Sequence, residues 1–294
     1  LLVDQAIEMN VTQDARETLE FLSSLDHQLH RGSPHQRAQL DLIRARANML
    51  VTEYDKAMEI LDHLLASELT PDHRLRAYEL AANLALIVDR YQAGFEYLNR
   101  AMEFQEQVDD PGLKSGIFGL AAYWHTQLGD EMKGLEYAQR TMELARETGD
   151  AREQCVAYEK LAQAEEMTGQ LEQALRRYEA GLRACEQAGD PVFVGVMHGL
   201  KGRVLFRLGR YKEAEIWMKQ GIELSAESGF DEGLTDAIIR YGELLLELER
   251  NDEAKEILLD VLDRTPEGPR VVHLAEARRL LAQISFQEQN FRRA

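Results

Sequence analysis

The sequence is poor in the residues that staple, break or anchor a chain. Two cysteines in 294 residues are too few for a disulfide scaffold, which relies on several bridges to hold a small core. Six prolines, and no Gly/Ser-rich run, exclude a long flexible linker or a low-complexity tract. No apolar run reaches the roughly 18 to 20 residues that cross a bilayer as a helix, so no membrane contact is expected. Basic residues are also scarce, 34 Lys and Arg against 52 Asp and Glu, a formal charge of −18. Such a surface repels phosphate backbones, which argues against nucleic acid as a partner. What is present, 45% hydrophobic and 29% charged residues, is enough to bury a large core.

Signatures of chemistry are missing as well. There is no Gly-rich phosphate loop, no His-Glu-x-x-His, no Gly-x-Ser-x-Gly and no Cys-x-x-Cys, so no nucleophile, base or cofactor cradle stands at a catalytic spacing. The chain is read as a non-enzyme without cofactor. His27 and His30 stand at i and i+3 with His35 close behind, a spacing that two metal ligands can share; a solvated polar face explains them as well, and no metal site is assigned. His125 and His198 fall in helical segments at unrelated repeat positions and read as core or groove residues. The acidic pairs Asp109-Asp110 and Glu165-Glu166 read as loop ends or solvated faces, and no Asp-x-Asp-x-Asp-Gly loop supports calcium.

The positive signal is an internal repeat. Helix starts such as Glu53-Tyr54-Asp55-Lys56-Ala57, Arg90-Tyr91-Gln92-Ala93-Gly94, Gln170-Leu171-Glu172-Gln173-Ala174 and Arg210-Tyr211-Lys212-Glu213-Ala214 carry a small residue at one register. That column runs Ala57, Gly94, Gly134, Ala174, Ala214, Ala254, Ala294, spaced by 37 once and by 40 thereafter. A second column sits twelve residues earlier, at Ala45, Ala82, Ala122, Ala162, Gly202, Gly242 and Ala282. Small side chains at fixed positions predict close crossings of antiparallel helices, where a larger group would force the axes apart. Gly129, Gly169 and Gly209 punctuate the first helix of each pair, and Gly149, Gly189 and Gly229 the second, as left-handed helix ends require. Apolar residues at three- and four-residue spacing between them, as in 152–167 and 171–187, predict two helices of about four turns per repeat. Such hairpins bury their apolar faces only by stacking on neighbours.

With Ala162, Gly169, Ala174 and Tyr178 as its small, small and aromatic positions, the chain resembles the tetratricopeptide repeat family over residues 38–294. The resemblance implies an all-α, right-handed solenoid of stacked antiparallel helix pairs, about six full repeats with partial repeats at each end. The 40-residue period exceeds the usual 34 and implies longer helices, as in the repeat regions of bacterial signalling and transcription regulators. Residues 1–37 read as a degenerate first repeat and linker, with Ala15, Leu19, Leu22 and Leu25 as one apolar stripe, and 38–294 as one continuous domain. The ends, Leu1-Leu2-Val3 and Phe291-Arg292-Arg293-Ala294, interrupt the pattern and read as those of an excised piece. Locally, 135–138, 152–158 and 184–187 resemble the sensory repeat region of bacterial diguanylate cyclases. That resemblance implies a sensor arm of an inner-membrane protein, periplasmic or alternatively cytoplasmic, acting on an attached cyclase.

Cys155 and Cys185 stand about fifteen residues either side of an intra-repeat turn, so antiparallel pairing brings them side by side. A disulfide, which requires an oxidising compartment such as the periplasm, and two small buried thiols both fit.

In this family the first helix of each pair lines the concave face. Its mid-helix column reads Arg46, Asn83, Tyr123, Gln163, Arg203, Glu243 and Gln283, all able to hydrogen-bond. One turn on stand Met167, Phe206, Arg207, Leu246 and Phe286, and such mixtures of apolar anchors and polar readers suit a peptide or small ligand. Arg203 and Arg207, one turn apart, are the expected grip on a carboxylate or phosphate, with Arg240 completing the cluster; Trp124 serves as an aromatic wall or as core. Two functions follow from this reading: a ligand-sensing arm of a signalling protein, or a scaffold that docks protein partners without a small molecule. A homodimer is compatible with both.

Overall fold

The computed structural model describes residues 5–6, 15–29, 33–228, 231–264 and 271–291. Among them are fourteen α-helices and no strand: α1 (Ala15–Leu29), α2 (Pro34–Leu50), α3 (Tyr54–Leu65), α4 (Pro71–Ile87), α5 (Tyr91–Phe104), α6 (Pro111–Gln127), α7 (Glu131–Thr148), α8 (Ala151–Met167), α9 (Leu171–Ala188), α10 (Pro191–Arg207), α11 (Tyr211–Glu227), α12 (Asp231–Glu247), α13 (Asn251–Arg264) and α14 (Val271–Phe291). They form two compact units, Leu1–Trp124 and His125–Ala294, that divide within α6.

Helix starts are written in the sequence. Ser33 caps α2 in a reciprocal capping box with Gln36, Thr70 caps α4, and Asp150 and Asp190 cap α8 and α10, each side chain accepting from an otherwise unpaired amide. Four of the six prolines, Pro34, Pro71, Pro111 and Pro191, open first helices, where a missing N–H costs nothing. The turn inside each pair needs one residue with positive φ. Gly129, Gly169 and Gly209 supply it, at φ 80°, 77° and 73°, but Thr52, Asp89 and Glu249 hold the same register at 65°, 57° and 59°.

The two small-residue columns meet where helices cross. A Cβ on Gly202 of α10 would lie 2.6 Å from Met218 Cγ and 3.2 Å from the Ala214 carbonyl of α11. Ala45, Ala82, Ala122 and Ala162 are buried, as are Ala57, Ala174, Ala214 and Ala254. Ala282 is exposed; Ala294, twelve residues on, lies outside the described residues, as do His30, Gly229 and residues 31–32.

In the amino-terminal unit α2 packs on α3 and α4 on α5, and first helices α2 and α4 also touch. Trp124 is core, 1% exposed, and not a groove wall. Its ring explains why the small column reads Gly at 94, where a Cβ would come within 2.6 Å of it. In α1 the buried stripe is Thr18, Leu22 and Leu25, one residue off the expected line through Leu19, which is only half-buried.

In the carboxy-terminal unit the pairs α8/α9, α10/α11 and α12/α13 stack in order, and successive first helices α8, α10, α12 and α14 touch one another. The core between them includes Tyr178, Met197, Leu205 and Met218, and burying one such side chain is worth about 1.5–3 kcal/mol. Cys155 and Cys185 form a disulfide between the start of α8 and the end of α9, with Cα atoms 5.0 Å apart.

Candidate functional site

The first helices bring one polar row together in the carboxy-terminal unit. Glu166, near the end of α8, accepts from Arg203 Nη2 of α10 at 2.6 Å and from Arg207 Nη1 at 3.1 Å. Its backbone carbonyl accepts from Arg207 Nη1 as well, at 3.1 Å. Tyr178 of α9 donates its hydroxyl to the same carboxylate at 3.3 Å and receives Arg203 Nη2 at 3.3 Å. Burial holds the Tyr178 phenol well above its usual pKa. Burial alone would lower the pKa of Arg203, but Tyr178 and Glu166 more than offset it and the net shift is upward, so the guanidinium stays charged.

Two expectations change here. Glu165 and Glu166 are not a solvated face: they are 4% and 3% exposed, Glu165 bonded to Arg177 at 3.1 Å. Arg203 is not simply a reader open to solvent, because its head group spans two repeats and its Nε is buried without a hydrogen-bond partner. The signal that identifies such a lock is an acid one repeat before a base, 37 and 41 residues apart, a separation outside any single-helix pattern.

The row continues onto α12 and α14. Arg240 Nε bonds Asp236 at 2.6 Å, and Asp236 lies close enough to Arg203 to act on it electrostatically. Glu243 meets Arg279 of α14 at 3.4 Å, and Arg279 also holds Glu276 at 2.6 Å. Burial and the neighbouring Glu276 raise the Glu243 carboxyl, against the pull of Arg240 and Arg279. Gln163 is turned onto its own helix, its Nε2 donating to Glu159 at 2.8 Å.

The apolar rim is partly as expected. Met167 and Phe286 are exposed, and Phe206 is half-buried with its ring 5.8 Å from that of Tyr211. Leu246 is 9% exposed and belongs to the core, so it offers no anchor. In the amino-terminal unit Arg46 on α2 and Asn83 on α4 are exposed, and Tyr123 on α6 is half-buried. An open depression of about 490 Å³ there is lined by 89–96 alone, one stretch of chain that offers no convergent groups.

The geometry defines a helical-repeat solenoid whose first helices expose a polar row. The tetratricopeptide repeat family model matches residues 197–228 and 235–267, two successive copies that run from within α10 to the end of α13, so that stretch carries tetratricopeptide repeats. No curated protein matches the sequence. Among solved structures it is similar to a Rap protein complexed with competence and sporulation factor, with TM-score 0.72 and 14% identity over 96% of this chain and 78% of that one. It is also similar to NprR in complex with its cognate peptide NprX, with TM-score 0.68 and 18% identity over 100% and 84%. The Cut9–Hcn1 assembly of APC/C matches with TM-score 0.69 and 14% identity, over 95% of this chain and 48% of that one. At these identities the likeness concerns the fold.

Proposed function

We propose that this protein is a non-catalytic binding module that takes a peptide or protein segment on its first-helix face and passes that occupancy to a signalling output. The observation that carries the reading is the row Arg207, Arg240, Glu243 and Arg279 on contiguous first helices, beside the exposed Met167 and half-buried Phe206. Polar readers next to apolar anchors are what an extended segment needs for register and affinity. NprR, crystallised with its cognate peptide, supports a peptide over a small metabolite. The local resemblance to cyclase sensor arms makes a diguanylate cyclase the proposed output.

The test is a thermal-shift and fluorescence-polarisation screen of the protein with synthetic peptides of about five to ten residues, the reach of an extended chain across three helices. Peptides that raise Tm should lose most of that effect in Arg207→Gln, which leaves Arg203 on Glu166. If only folded proteins bind, the scaffold reading replaces this one. A periplasmic location is proposed from the Cys155–Cys185 disulfide, since such bonds persist in oxidising compartments. Quantitative alkylation of both thiols in freshly lysed host cells would overturn it.

A further inference from the structure

The amino-terminal unit holds a histidine pair that the binding reading leaves unused. His35 stands in the first turn of α2 and His73 in the first turn of α4, and their rings lie 4.5 Å apart across the contact of these two first helices. His73 is 9% exposed, whereas His35 is open to solvent. The hydroxyl of Thr70, which caps α4, lies 3.1 Å from His73 Nδ1 and accepts from the His73 amide at 3.4 Å. This cap is reciprocal when Nδ1 is unprotonated, because the hydroxyl then donates to the ring while its lone pair takes the amide. A proton on Nδ1 makes the ring a second donor to that one oxygen, and the hydroxyl hydrogen must turn away. Burial and His35 push the His73 pKa down, with Asp72 of its own helix opposing them, and the first turn of a helix disfavours a cation as well. Of the other charges near this end of α4, Arg74 is turned to the Ser67 carbonyl at 3.1 Å and to the Phe104 ring of α5, while Asp62 of α3 is engaged by the Tyr97 hydroxyl of α5 at 2.9 Å.

We propose that the His35–His73 contact is an acid-sensitive latch, which holds α2 against α4 while His73 is neutral and releases them once it is protonated. The latch lies in the amino-terminal unit and is independent of the binding reading, whose polar row lies in the other unit. Two imidazolium rings at this separation repel, and a charged His73 gains water on opening that the closed contact denies it. The closed form favours the neutral ring. Its contribution is therefore complete above about 6.5, the ordinary value for histidine, and is lost as pH falls below it.

The test is hydrogen exchange of the full chain at pH 7.5 and pH 5.0, corrected for intrinsic rates and read by mass spectrometry over α2 and α4. One proton taken up on opening raises the open population by up to about tenfold per pH unit, so protection of both helices should fall at least about threefold. His73→Gln, which cannot take the proton, should show the same protection at both pH values, and His35→Gln should show a smaller fall than the parent. Proton NMR of the imidazoles gives a readout that packing alone would not move. The His73 resonance should titrate below about 6.5 in the parent and move toward that value in His35→Gln. Circular-dichroism melts at pH 7.5 verify that the variants fold, and if His73→Gln does not, the His73 titration in His35→Gln decides the matter. Equal protection of the parent at both pH values, an undiminished fall in His73→Gln, or a His73 titration unmoved by His35→Gln overturns the latch.

Discussion

Replacing Arg203 should destabilise the carboxy-terminal unit by about 2–3 kcal/mol. Glu166 is 3% exposed and takes the 2.6 Å bond from Arg203, a 3.1 Å bond from Arg207 and a 3.3 Å bond from Tyr178. Removing one partner of a buried pair costs about 3–5 kcal/mol when the other charge is stranded, and the retained Arg207 bond lowers that figure. Urea unfolding followed by the fluorescence of Trp217 measures the change, in a Trp124→Phe background because the two tryptophans fall in different units. Arg203→Met should lower the midpoint with little change in slope. Arg203→Met combined with Glu166→Leu and Tyr178→Phe should recover most of the loss, since apolar groups in place of all three strand neither a charge nor the buried Tyr178 hydroxyl. Arg203→Met within about 0.5 kcal/mol of the parent, the ordinary range of surface changes, would refute the reasoning, as would a triple variant no more stable than the single one.

Three further outcomes are expected. Arg250 and Lys219 hold the Glu215 carboxyl down at about 2, against the opposing effect of burial. A folded-state pKa below the unfolded value of about 4.3 gives stability that is present above that value and lost as pH falls toward 2. With the group 23% exposed, roughly 1–2 kcal/mol is at stake; Glu215→Gln should flatten the acid limb of the stability profile, and parallel curves would contradict this. Gly202→Leu should cost about 1–3 kcal/mol or more by overpacking against Met218 and Ala214, read as a lowered urea midpoint. Glu249→Gly and Thr52→Gly should each gain about 0.5–1 kcal/mol, because relief of left-handed strain outweighs the added chain entropy; a loss in thermal melts would show that these side chains contribute more than their backbone strain removes.

The helix pairs were legible because close crossings leave a one-residue signature. Ala162, Ala174, Gly202 and Ala214 had to be small, and a 40-residue ruler finds them. Gly94 was legible as small but not as glycine, since the Trp124 ring that excludes a methyl there approaches from a helix thirty residues on. The polar face was legible only as a column. Glu165 and Glu166 look solvated on their own helix because their burial is imposed by Arg177, Arg203 and Tyr178 on two other helices. Leu246 fell on the expected rim, yet it packs inward because side-chain direction depends on how α12 is rotated against its neighbours. Helical periodicity does not set that rotation to within one residue.

The lock between α8 and α10 also bears on the order of assembly. Repeats of one length and one small-residue code are nearly interchangeable neighbours, and chains built that way are prone to dock the wrong pair. One period after Glu166, Tyr178 and Arg203 stand Phe206, Met218 and Glu243, so the lock is not copied into the next repeat. Were α8 to dock on α12 in place of α10, Glu166 would confront Glu243 where it now meets Arg203, carboxylate against carboxylate. The seam acts as an address label, telling otherwise look-alike helix pairs which neighbour is theirs.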